Sequence, residues 1–74
     1  MNAIFLFDPP VYSLDHFEKS HCLNHVLMHR LLQIGLHPQT IIVGTKAMVT
    51  REAAAAWRQK ITEYAEQHGG KIEL

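Results

Sequence analysis

The chain has 74 residues, 47% of them hydrophobic and 19% charged, with seven basic and seven acidic side chains giving a formal net charge of zero. Such a chain makes one small globular domain with a thin core and is not intrinsically disordered. Zero net charge argues against generic tight nucleic-acid binding, which rests on neutralising phosphates, and the single Cys22 rules out an internal disulfide framework.

In chain order, Asn2 to Phe7 (NAIFLF) is apolar and β-prone. Asp8-Pro9-Pro10 ends it, because proline lacks an amide donor and restrains the residue before it. Residues 1–10 read as an apolar arm: an extra N-terminal strand of the monomer, or a segment that packs on a neighbour. MNAIFLF lacks a basic start and is too short for a signal peptide. No run approaches the roughly 18 apolar residues that span a bilayer. With one cysteine, best read as a turn or core residue, this points to a cytoplasmic protein without a membrane partner.

Residues 11–68 read as the domain proper. Ser13 is a good N-cap for a first helix, with Asp15 in its first turn and Leu14 and Phe17 on one face. LDHFEKS makes only about two turns, so packing must hold it. His21-Cys22-Leu23-Asn24 breaks the helical stretch. Asn24 caps a second helix that runs to about Ile34, and Gly35 is its left-handed stop. Met28, Leu31 and Leu32 form its inward stripe, widened by Val26, Leu27 and Ile34. His25, His29 and Gln33 line an outer face, with Arg30 beside them.

Pro38 begins the connection to a β-branched run, Thr40 to Val43. Gly44-Thr45 supplies a two-residue turn with positive φ at its first centre, and Lys46 to Val49 is the return strand. Thr50 caps the longest helix, Arg51 to about His68, with Glu52 in its first turn. Ala53, Ala56, Trp57, Ile61 and Tyr64 are its expected inward face, and Gly69-Gly70 ends it. Residues 69–74 are a C-terminal tail. The expected fold is mostly α with a small β-hairpin: three helices plus a wing, the plan of a winged helix-turn-helix domain.

Tyr12 to Ile61, 50 of the 74 positions, resembles the small excisionase-type winged helix-turn-helix proteins of phages and mobile elements, related to the DNA-binding domain of MerR-like regulators. The most specific part is IIVGTKAMVTREAAAAWRQ, similar to the family's hairpin followed by an Arg-Glu-Ala-x-x-x-Trp helix start. HPQT matches the Pro-led approach to the wing. The resemblance implies a recognition helix at 24–34 in the major groove and a wing at 40–49 beside it. Its DNA-facing candidates are Asn24, His25, Leu27, His29, Arg30 and Gln33, the wing tip at Gly44, Thr45 and Lys46, and Arg51 near the wing base. Two departures stand out. The family usually carries small polar residues where this chain has Val26 and Leu27, and two or three basic residues where it has Gly44-Thr45-Lys46-Ala47.

Arg30 suits guanine and Gln33 suits adenine, against a plain reading as solvated helix residues. Lys46 and Arg51 suit phosphates, which position without specifying. Arg58 and Lys60 lie among Glu63 and Glu66 and read as a solvated face. Protonated His25 and His29 would add charge towards phosphate. His21, His25 and His29 lack a close carboxylate or a second cysteine, so neither a metal nor another cofactor is expected. No catalytic pairing has supporting spacing and no Gly-rich phosphate loop is present, so the chain is not read as an enzyme. The expected function is a small DNA-binding protein, an excision factor or transcriptional regulator. Its partner is double-stranded DNA, bound as a homodimer or a cooperative multimer. The alternative is a protein-interaction module that uses Val26, Leu27 and the 1–7 arm.

Overall fold

A computed structural model of the chain describes residues 9–74, so the expected strand or arm at Asn2 to Phe7 lies outside the described residues. The elements run β1 (Val11–Ser13), α1 (Leu14–Ser20), α2 (His25–Gln33), β2 (Ile41–Val43), β3 (Lys46–Thr50) and α3 (Arg51–Gln67). The three helices pack with one antiparallel three-stranded sheet of order β1-β3-β2. The hairpin forms as its sequence requires. Gly44 has φ +65° and Thr45 does not share the positive φ, which is the turn that suits a right-handed twist.

β1 was not expected. Ser13 has two roles, ending the strand opposite Met48 and capping α1 by accepting from the His16 amide at 3.1 Å. Tyr12 stands opposite Val49, and both point into the core. Pro10 extends this edge, its carbonyl accepting from the Arg51 amide at 2.9 Å.

All three helices begin and end in the same manner. Asn24 Oδ1 accepts from the Leu27 amide at 2.8 Å, and Thr50 Oγ1 accepts from the Ala53 amide at 3.1 Å. At the C-termini a residue with positive φ turns the chain out of the helix: Cys22 at 58°, Gly35 at 79° and Gly69 at 75°. The next amide then bonds back five residues, Leu23 to Glu18, Leu36 to Leu31 and Gly70 to Ala65, at 2.7 to 2.8 Å. Two of these stops use glycine, whereas the first uses an exposed cysteine, which bears the steric cost of the left-handed region.

The core gathers Tyr12, Phe17, Met28, Leu31, Leu36, Val49, Ala54 and Trp57. Trp57 meets Phe17 edge-on at 5.1 Å, and His21 stacks on Phe17 at 4.2 Å. The Trp57 indole N–H donates to the Leu36 carbonyl at 2.7 Å, tying the segment after α2 to α3.

Two expected inward positions are corrected. Leu32 is 54% exposed, because the buried arc of α2 centres on Leu31 and Leu32 lies about 100° further round. Ala56 is exposed and Ala54 is buried instead. The inward stripe of α3 runs through Ala54, Trp57, Ile61 and Tyr64, and Ala56 sits about 100° from Trp57 on its far side.

Phe17→Ala should cost about 3–5 kcal/mol, enough to leave a domain this small largely unfolded in a urea titration. Cys22→Gly should raise stability by up to about 1 kcal/mol by relieving the left-handed cost. An unchanged or lower urea midpoint would remove strain as the account of that turn.

Candidate nucleic-acid interface

The α1–turn–α2 unit sets the candidate site. Inward anchors Met28 and Leu31 fix the roll of α2, and the Asn24 cap fixes its start. That roll leaves His25, Val26, His29, Arg30 and Gln33 exposed on one side. They line a shallow depression completed by Ile34 and by Glu73 and Leu74 of the tail. His29 and Gln33 approach at 3.5 Å, one turn apart. The first turn of α2 also faces α1 through Glu18, a nearly buried carboxylate whose oxygen lies 3.7 Å from His25 Nδ1.

The expected contact residues divide. Arg30, Gln33, His25 and His29 share the exposed α2 face. Asn24 lies at its start with its side-chain oxygen committed to the cap. Thr45 and Lys46 are exposed at the hairpin tip, and Arg51 is exposed at the start of α3. Leu27 is corrected. It is half-buried and lines a cleft with Leu23, Leu31, Trp57, Ile61, Ile72 and Leu74, away from the exposed face of Arg30 and Gln33. Its place four residues before Leu31 puts it on the inward side.

Arg58 and Lys60 are exposed on α3 as expected, and each also bonds to another part of the fold. An Arg58 guanidinium N–H donates to His21 Nε2 at 3.0 Å. Arginine only donates, so that ring nitrogen is the acceptor, and the Nδ1–H is left to the Phe17 carbonyl at 2.9 Å. Lys60 donates to the Gly35 carbonyl at 3.3 Å, and Lys19 pairs with Asp15 at 3.1 Å. Arg58, Lys60 and Lys19 thus each have a partner inside the fold. The basic residues at the exposed positions of α2, the hairpin tip and the start of α3 are Arg30, Lys46 and Arg51.

Sequence reasoning missed Glu73 and Leu74 beside the α2 face. No local pattern reports where a four-residue tail packs, although the apolar Ile72 and Leu74 were a signal that it would. Ile72 does pack against the core. It also missed that β2 is exposed along its whole length.

Among the described residues no three His, Cys, Asp or Glu side chains come together to hold a metal ion, and no helix is long and apolar enough to cross a membrane. A comparison of the chain with family models, with curated proteins and with solved structures finds no match.

Asn24→Ala should cost about 1 kcal/mol by orphaning the Leu27 amide. Thermal unfolding should then shift down by roughly 4–8 °C. A melting point equal to the wild type would mean that the cap does not hold the start of α2.

Proposed function

We propose that residues 11–68 form a winged helix-turn-helix that binds double-stranded DNA, with α2 in the major groove and the β2–β3 hairpin beside it as the wing. The observation that carries this reading is the exposed side of α2. A helix held by Met28, Leu31 and the Asn24 cap offers Arg30 and Gln33 outwards, flanked by His25 and His29. Arg30 matches the paired acceptors of guanine and Gln33 the donor–acceptor pair of adenine. Lys46 and Arg51 supply phosphate contacts that position the helix, with Thr45 at the same tip. A role in excision or transcriptional regulation, in the cytoplasm, suits such a domain.

Three cations set the scale. Neutralising three phosphates gives a log–log salt slope of about −2.7, so affinity should fall roughly 40-fold between about 50 and about 200 mM salt. A single copy with so shallow an electrostatic hold needs linked binding of further copies to reach useful occupancy.

A second reading, a protein-interaction module, is favoured by Val26, which is 62% exposed on the same side of α2 beside Ile34 and Leu74. Leu27 contributes less than its sequence position suggests, because it is half-buried. The expected arm at 1–7 lies outside the described residues.

Fluorescence anisotropy with a labelled random duplex at two salt concentrations separates the readings. DNA binding should show the roughly 40-fold salt loss. Arg30→Ala with Lys46→Ala should weaken it by at least about 1–3 kcal/mol. Absence of binding at the lower salt sinks the DNA reading and turns the search to protein partners through Val26→Asp.

A further inference from the structure

We propose that the free edge of β2 is a self-association surface, and that its occupant is the β2 strand of a second copy, paired antiparallel about a two-fold axis through Ile42. The inference goes beyond DNA binding and does not depend on it.

Among the described residues β2 is an edge strand in the order β1-β3-β2, and its three residues are all exposed and all β-branched: Ile41 at 46%, Ile42 at 67% and Val43 at 57%. Natural sheets protect such an edge with lysine, proline, a bulge or a covering element. β2 carries no charge and no proline.

The backbone pattern selects the register. In a hairpin closed by a two-residue loop, the flanking pair Val43–Lys46 is the hydrogen-bonded one. Alternation makes Ile42–Ala47 a non-bonded pair, so the Ile42 amide and carbonyl point away from β3 to the open edge. Two copies related by a two-fold at Ile42 therefore exchange both bonds between the same residue and itself.

The side chains agree with that register. Ile42 meets its own copy on one face of the sheet, and Ile41 meets Val43 of the other copy twice on the opposite face. Every cross-strand pair is then β-branched against β-branched, the combination that stabilises a sheet. No like charges oppose one another. Lys46 lies one strand in, on β3 opposite Val43.

The pairing also closes. A two-fold at Ile42 uses the same β2 edge of both copies, so among the described residues the pairing gives one six-stranded sheet and leaves no β2 edge for a third copy. An isologous dimer, not a filament, follows. Three residues a side fall well short of the about 800 Å² per partner of a standard interface, so the association is reversible and concentration dependent.

Sedimentation velocity without nucleic acid, from roughly 10 μM to roughly 1 mM, tests this. The weight-average mass should rise from the 8.5 kDa of one chain towards twice that value. Ile42→Pro removes the outward amide and spares the β2–β3 ladder. Ile42→Lys opposes two ammonium groups across the axis. Both should stay monomeric over the range, with wild-type circular dichroism. Leu32→Lys, at an exposed apolar position on α2, should associate like the wild type. Amide exchange at Ile42 should slow at the higher concentration, a readout that needs no variant. A wild type that stays monomeric, Ile42 variants that associate unchanged, or loss of association in Leu32→Lys would each overturn the proposal.

Discussion

The hydrogen bond from the Trp57 indole to the Leu36 carbonyl is the contact on which the arrangement of the helices depends. Trp57 belongs to α3, and Leu36 is the residue whose amide closes the end of α2. The same indole meets Phe17 of α1 edge-on, with His21 beside it. One side chain thus joins α1, the end of α2 and α3. The bond holds the end of α2 in place, and Met28 and Leu31 set its roll. With Leu36 pinned, Leu31 and Met28 face inwards and the opposite side is left to solvent.

Much of this was legible in the sequence because the signals are local. Ser13, Asn24 and Thr50 each bond an amide three residues on, and Gly35, Gly44 and Gly69 sit where positive φ is needed. Such features read directly because their cause lies within one turn of chain. What escaped depends on distant partners. β1 has three residues, too few for a period, and exists because Val49 gives Tyr12 a buried neighbour. The choice between Ala54 and Ala56 is set by rotation about the helix axis, and four consecutive alanines carry no signal that decides it. Arg58 was read beside acids on its own helix, but it reaches His21, thirty-seven residues away.

The candidate site shows the same division. The exposed placement of Arg30, Gln33, His25 and His29 followed from helical spacing against Met28 and Leu31. Leu27 shares the apolar spacing of both the inward and outward sets, and only the cleft it lines with Ile61, Ile72 and Leu74 decides for the inward one. The balance of charge acquires a physical meaning here. Arg58, Lys60 and Lys19 each have a partner within the fold, so the zero formal charge understates how few cations a polyanion would meet. The edge strand is the counterpart: where a basic wing would sit, the chain presents aliphatic surface.

Trp57 is the only tryptophan in the chain, and it stands at the joint between α3 and the end of α2. Its emission is therefore a native optical gauge of that joint, without a fluorophore added to either helix. The indole is nearly buried, donates to a backbone carbonyl and is surrounded by rings, whereas solvent would bathe it once Leu36 withdrew. Any event that loosens α2 from its scaffold, whether heat, denaturant or a ligand drawn to its outer face, registers as a change in colour and intensity from one known position.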